Sequence, residues 1–373
     1  MAERLDSHVR SHRRGLALSQ GDLAEIVGVS RQAIVAIERG RTVPSTSLSL
    51  RLARALRCRV EDLFSLPTEV GLAVRLAPDE DVRPTASTPG RSRVAIAEID
   101  GKWVAHRLPL DARVAADGLV SKQASARTAV VRPLADSDRL RANVMVAGCA
   151  PLLGALAQHA GASGSAARMS WLHANSGRAL DLMEARLVHV AGLHLRNAAG
   201  DGNLEAARAR FPGRRLLVAN LTRWREGLVV PAGNPLGIRS GADLLRPGLR
   251  IARREAGSGA HRLLVDLLAA EGVDHPAVSG PYAVGHSDVA TLVACGAADV
   301  GVAIEGVALA SGLGFVPLVE ERFDLLVPGD IAEQPHVARM LATLDHPHFR
   351  ADAANLPGYD IDLCGHVTTL EAA

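Results

Sequence analysis

Through the first 66 residues the apolar positions come in short runs with helical spacing, broken at intervals by small polar residues and glycine. Leu23, Ala24 and Val27 share one face of a helix that Ser19 would cap, with Asp22 three residues on completing a capping-box-like pair. Gly28 stands where that helix must end and the chain reverse. Ser30 then caps a second helix whose buried face would be Ala33, Ile34 and Ile37. A first helix in "LDSHVRSHRR" and two later ones in "TVPSTSLSLRLARALRC" and "VEDLF", packed through Leu48, Leu52, Leu56 and Leu63, complete a predicted set of five. A helix, a tight glycine turn and a second capped helix make a helix-turn-helix arrangement.

From residue 67 to about 92 the periodicity gives way to Pro, Thr, Ser and charge. "RVAIAEIDGKWVAHRL" then alternates apolar and polar positions around Asp100-Gly101, which predicts a hairpin, and "GLVSKQASARTAVVRPL" reads as further strands. A small β-rich connector is expected over 67–140, with part of 67–76 available to pair with it. Trp103 and His106 are expected to pack inside it, a ligand role for His106 being the alternative.

From Arg141 the rhythm changes again. "NVMVAG", "ARMSWLHA" and "LVHVAGLHL" read as buried strands, each of the first two followed by a helical segment, "APLLGALAQHA" and "SGRALDLMEAR". Such alternation means a parallel sheet covered by helices. "RRLLVANLTRWREGLVVPAGNP" leaves this lobe for a second one, and "LGFVPLVEERFDLLVP" returns. Two crossings between α/β lobes leave a cleft lined by strand ends and helix N-termini. The predicted architecture is therefore multidomain. It comprises an all-α helix-turn-helix domain at 1–66, the β-rich connector, and a two-lobed α/β domain at 141–373. Lobe 1 takes about 141–225 and 315–373, and lobe 2 about 226–314.

Charge sharpens the first part of this reading. Residues 1–66 hold 11 Lys/Arg against 7 Asp/Glu, while the rest of the chain holds 31 against 33. The basic end is where a nucleic-acid partner is expected. Aromatic residues make up only 3% of the chain, which argues against base stacking as the main binding mode. Cys58, Cys149, Cys295 and Cys364 stand far apart with no CxxC pair, pointing to neither a disulfide framework nor a zinc site. "MAERLDSHVRSHRRG" lacks the apolar stretch of a secretion signal, and no run approaches eighteen apolar residues. A reduced, cytoplasmic protein without a membrane partner is expected.

The string "LSQGDLAEIVGVSRQAIVAIERGRTVPS" strongly resembles the Xre/Cro family of phage-repressor-like DNA-binding domains, the likeness covering roughly residues 5 to 65. The resemblance makes Ser30 to Arg39 the recognition helix. Arg31 and Gln32 at its start would meet base edges, a guanine and an adenine respectively, and Ala36 a thymine methyl. Gln20 and Arg41 would contact phosphates, and Glu38 would close the loop near Arg39 and Gly40. The alternative is that Arg31, Gln32 and Arg41 form an ordinary solvated face. One such module reads half a site, so a homodimer on double-stranded operator DNA is implied.

The segments "VAGCAPLLGAL", "REGLVVPAGNPLGI", "RREAGSGAHRLL", "GHSDVATLVACGAADVGVAI" and "GLGFVPLVEERFDLLVP" resemble the PBP-like family of type II periplasmic-binding-protein folds, over roughly 143–328. The resemblance implies a small anionic effector in the cleft, molybdate or tungstate first, and no other cofactor or metal. Gly257-Ser258-Gly259, Cys149, Asn175-Ser176-Gly177 and His286-Ser287 lie at strand–helix junctions, where free N–H groups and helix dipoles favour anions. Each is also explicable as ordinary junction chemistry, and His286 as a cap or core residue. Arg223 and Arg225 flanking Trp224 would add fixed charge, and Glu305 could hydrogen-bond the ligand. Relatives carry Thr-Arg after Gly-Ser-Gly; here Ala260-His261 follows, which would suit a small organic ligand or make the site pH-sensitive through His261. "NSGRA" likewise replaces a glycine-rich element.

GxSxG, HExxH and GxxxxGK[ST] patterns are missing, so the expectation is a ligand-responsive transcription regulator and not an enzyme. A storage or chaperone protein of molybdenum-cofactor metabolism is the alternative from another class.

Overall fold

The computed structural model describes residues 5–65, 71–78, 92–109, 114–162, 168–197, 199–273 and 278–372. Much of the predicted linker, 66–70 and 79–91, lies outside the described residues. The chain divides into two compact units, Met1–Leu72 and Ala73–Ala373.

In the first unit a two-residue strand β1 (Asp6–Ser7) precedes α1 (Val9–Gly15), α2 (Gln20–Val27), α3 (Arg31–Glu38), α4 (Thr46–Ala55) and α5 (Val60–Leu63). The last leads into β2 (Phe64–Ser65), which pairs antiparallel with β1. The helical reading of "LDSHVRSHRR" is thus shortened at its start, where Asp6 and Ser7 go to this clasp. Leu23, Val27, Ile34, Ile37, Leu52, Leu56 and Leu63 are buried together with Val9 as one core. Ala33 and Leu48, expected inside, are only half-buried.

The second unit opens with a closed barrel of β3 (Leu72–Leu76), β4 (Arg93–Ile99), β5 (Lys102–Arg107), β6 (Gly118–Ser125) and β7 (Thr128–Pro133). β4 and β5 form the hairpin around Asp100-Gly101, both left-handed, at φ 51° and 70°. β3 closes on β5 in parallel. The barrel is fastened to the next region by buried polar groups. Asn143 Nδ2 donates to the Ile96 carbonyl at 2.7 Å, and Asp117 accepts from the Ile96 amide at 2.9 Å while pairing with Arg168. The 67–140 segment therefore includes a barrel that shares a compact unit with the α/β region.

After α6 (Ser137–Arg141) the chain alternates through β8 (Asn143–Gly148), α7 (Leu152–Ala162), β9 (Arg168–His173), α8 (Ser176–Glu184), β10 (Val190–Leu193) and α9 (Gly202–Arg210). β8 is buried at every residue, as a strand covered on both faces must be. The long β11 (Leu216–Val230) crosses out, followed by β12 (Ile251–Arg254), α10 (Gly259–Ala270), β13 (Tyr282–Ala283), α11 (His286–Ala294), β14 (Val300–Ile304) and α12 (Glu305–Ala310). β15 (Gly314–Pro328) returns along β11, and α13 (Pro335–Ala342), α14 (Pro347–Ala354), β16 (Tyr359–Asp360) and β17 (Val367–Leu370) end the chain.

These strands form one sheet in the order β13-β12-β14-β11-β15-β10-β8-β9, with β16 and β17 paired to β11. β11 and β15 stay antiparallel over their whole length, from Leu216↔Pro328 to Val230↔Gly314. This two-stranded ribbon joins the two lobes of a periplasmic-binding-protein-like fold.

Candidate functional site

In the helical unit the turn between α2 and α3 is set by three local devices. Ser19 Oγ accepts from the Asp22 amide at 3.1 Å and Asp22 from the Ser19 amide at 2.7 Å, which starts α2. Gly28 ends it in the left-handed region, φ 67° and ψ 46°, where a side chain would be strained. Ser30 Oγ accepts from the Ala33 amide at 3.1 Å and starts α3. Arg31 and Gln32 are exposed in the first turn of α3, Ala36 is half-buried one turn on, and Arg41 is exposed beyond its end.

Glu38 differs from expectation. It does not close the Arg39-Gly40 loop but ties three helices together, accepting from Arg13 Nε at 2.6 Å and from Gln20 Nε2 at 2.8 Å. Burial opposes its charge, yet Arg13 and Gln20 outweigh that and hold its carboxyl below the ordinary range. The Gln20 amide, read as a phosphate contact, is thus committed to the fold.

In the two-lobed unit the predicted junctions separate into three places. At the first, the lobes touch. Asn175 caps α8, accepting from the Arg178 amide at 2.9 Å, and donates through Nδ2 to the Ala256 carbonyl at 3.2 Å. The Gly177 amide donates to the Gly257 carbonyl at 3.4 Å. Ser176 is buried and its Oγ accepts from the His194 amide at 3.1 Å. Ser258 caps α10, accepting from the His261 amide at 3.1 Å, and the His261 ring meets the Arg254 carbonyl at 3.2 Å through Nδ1. At Gly259 a Cβ would lie 2.6 Å from His194 Cε1, so only glycine fits beside that imidazole.

The second place is a cavity of about 440 Å³ between lobe 1, the start of α11 and the barrel. Cys149, Trp171, Arg178, His286 and Ser287 line it, with His106 and Arg107 from the barrel. His106 Nε2 meets the Leu187 carbonyl at 2.7 Å, so this histidine joins the barrel to lobe 1 instead of packing within the barrel alone.

The third place lies on the opposite face of β11. Arg223 pairs with Asp360, and Arg225 Nε with Glu305 at 2.9 Å, around a separate open cavity of about 410 Å³. Strand alternation explains the division: Trp224 and Glu226 turn inward while Arg223 and Arg225 turn outward. Arg223, Arg225 and Glu305 are not brought to the inner site.

Inward from the second place is a polar cluster of which the sequence reading named only His286. His194 Nδ1 lies 2.8 Å from Glu321, and Arg254 grips Glu255 through Nε at 2.9 Å and Nη2 at 3.0 Å. His286 Nδ1 is 3.3 Å from Arg254 Nη1 and 3.8 Å from Glu226. The His194 and His286 ring centroids are 5.6 Å apart, and Trp224 packs against both. Burial disfavours an imidazolium at His194, but Cys149 and Glu321 beside it outweigh burial and hold it well above its usual range. Burial and then the Arg254 charge hold His286 well below. Burial and then Glu321 raise the Glu226 carboxyl. The signal that marks Glu226 as inward is its register with Trp224; nothing local marks His194 or Glu321, which meet only through the fold.

Fold and sites together define a class: a helix-turn-helix unit joined to a two-lobed unit of ligand-binding-protein architecture. Residues 157–345 match the PBP superfamily domain, and residues 9–63 match the helix-turn-helix model. The chain belongs to the PBP superfamily domain family, whose model covers about half of it. It is 30% identical over 181 residues to YvgK of Bacillus subtilis (strain 168), spanning 48% of this chain and 58% of that protein. The chain thus covers less than two thirds of that relative. Over 59 residues it is 54% identical to an HTH-type transcriptional regulator of Methanothermobacter thermautotrophicus, 16% of this chain and 86% of that one. Among solved structures it is similar to a phosphate transporter substrate-binding protein from Clostridium perfringens, at TM-score 0.45 and 11% identity, covering 58% of this chain and 98% of the other.

Proposed function

We propose that this protein is a one-component transcription regulator that reads duplex DNA with α3 and senses a small anionic ligand in the cavity beside α8 and α11. The observation that carries the reading is the cavity itself, part of the same chain as a helix-turn-helix unit. Its volume of about 440 Å³ lies within the range of small-molecule sites. Arg107 and Arg178 line it together with Leu108, Trp171 and Leu182. Apolar walls with two guanidinium groups suit a small organic anion, such as a carboxylate, better than a bare tetrahedral oxyanion.

A second reading, molybdate or tungstate, is favoured by one observation: the first turn of α8 meets the Gly257-Ser258-Gly259 turn across the lobes. Opening the lobes by a few ångström would turn both helix N-termini toward an anion. Binding that favours one lobe arrangement would change operator affinity by the difference in ligand affinity between the two states, commonly about 1–3 kcal/mol.

Calorimetric titration with molybdate, tungstate, sulfate and a panel of small mono- and dicarboxylates tests the reading. Saturable heat with a carboxylate, lost in Arg178→Ala, supports the organic anion. Heat with molybdate or tungstate but not sulfate supports the oxyanion. No heat with any of them contradicts an anion sensor.

A further inference from the structure

We propose that Cys149, His194 and His286 form a binding site for a thiolate- and imidazole-seeking divalent cation of the zinc class. The Cys149 sulfur and one ring nitrogen from each histidine lie within 4.8 Å of one another, and all three residues are buried. Tetrahedral zinc with bonds of about 2.0–2.3 Å holds its ligands roughly 3.5 Å apart, which small side-chain rotations would reach.

The second observation is the set of polar atoms left without partners. His286 Nε2 and Trp224 Nε1 are fully buried and have no hydrogen-bond partner. An unpartnered ring nitrogen in a protein interior is costly, and a species bound at His286 Nε2 would relieve that cost.

Charge decides the sign of that species. Glu321 faces His194 and Glu255 faces Arg254, so a cation held by the two histidines would have carboxylates about it, where a second anion would meet repulsion. The surroundings of the two histidines fit the same answer. Metal-bound imidazoles usually give their other N–H to a carboxylate, and His194 Nδ1 already faces Glu321 at 2.8 Å. For His286, ligation through Nε2 would place the proton on Nδ1, giving up the 3.3 Å contact with Arg254 Nη1 and requiring a small side-chain shift to bring Glu226, now 3.8 Å away, within hydrogen-bond reach. Arg254 would keep its bonds to Glu255 and the Val302 carbonyl. Cys149 and His286 also line the cavity beside α8 and α11, which gives the ion an entry path.

The site stands apart from the anion reading because its ligands are not the guanidinium groups of the cavity. The test is titration of chelator-stripped full-length protein with cobalt(II) and zinc(II). One cobalt per chain is expected, with intense tetrahedral visible bands and a sulfur-to-cobalt charge-transfer band. Zinc should displace it. Cys149→Ser should abolish the charge-transfer band, and His194→Gln or His286→Gln should weaken zinc binding at least tenfold. Cys295→Ser, an exposed residue outside the cluster, should change neither. Arg178→Ala should leave metal binding intact even where it abolishes anion binding, so the two proposals fail separately. Absence of stoichiometric cobalt binding by the wild-type chain, or a cobalt spectrum without the thiolate band, overturns the site.

Discussion

Glu38 illustrates how much a single residue decides in the helical unit. Its carboxylate accepts from Arg13 and Gln20, and the Arg13 side chain is itself buried. Removing it in Glu38→Ala leaves a buried guanidinium without a counter-charge and with only the Leu18 carbonyl as partner, which should cost about 3 kcal/mol. Amide hydrogen exchange in α1 to α3 should quicken correspondingly; unchanged protection would mean the pair is dispensable. Two histidines make an equally definite prediction in the other unit. His106 and His189 are both brought down to about 4 from 6.5, in each case first by burial. The charge of Arg178 adds to this at His106, and His336, with its ring centroid 5.5 Å away, adds to it at His189. His189 also accepts from the Met145 amide through Nδ1 at 3.0 Å, a bond that protonation would break. Between pH 6.5 and 4 the unfolded chain binds protons that the folded chain refuses. The contribution of these two histidines is therefore full above pH 6.5 and falls with acidification, by roughly 3 kcal/mol per histidine at the bottom of the window. Between pH 7.5 and 5 the denaturant midpoint of the wild-type chain should fall relative to that of a His106→Asn, His189→Asn variant, and parallel profiles would contradict it.

At the scale of elements, the ribbon of β11 and β15 governs the site. It carries Trp224, Glu226 and Glu321 toward the lobe junction and Arg223 and Arg225 away from it. Close contact between α10 and His194 depends on Gly259, and Gly259→Ala should destabilise this unit by about 1–3 kcal/mol through overpacking. A lower melting temperature checks it, and an unchanged one would show that the contact yields freely. Here the limits of the sequence are plain. The helix-turn-helix was legible because caps and apolar spacing are local: Ser19, Gly28 and Ser30 each announce their role within four residues. The βα alternation was legible for the same reason. The pairing of Arg13 with Glu38 was not, nor the convergence of Cys149, His194 and His286, because each joins residues from separate elements with no periodic mark. Arg223 and Arg225 were placed in the cleft by adjacency to Trp224, when strand alternation puts neighbours on opposite faces. That part of 67–76 pairs with the connector was legible, and β3 does so; the parallel direction of that pairing and the closure of the barrel were not, since a parallel partner gives no hairpin signal.

For the whole molecule, the proposed reading gives each α3 one half-site, and useful affinity then calls for two copies. Light scattering behind size exclusion should give twice the mass of one chain, and a monomer at micromolar concentration would count against this arrangement. The described residues contain no helix long and apolar enough to cross a membrane. The central claim is that the chain recognises duplex sequence through the start of α3. Selection from a random duplex library with the full-length protein tests it most directly, beside an Arg31→Ala, Gln32→Ala variant. An enriched motif of two half-sites about one helical turn apart, bound at least tenfold more weakly by the variant, is the expected result. No enrichment, or a motif that the variant binds equally well, would contradict the account.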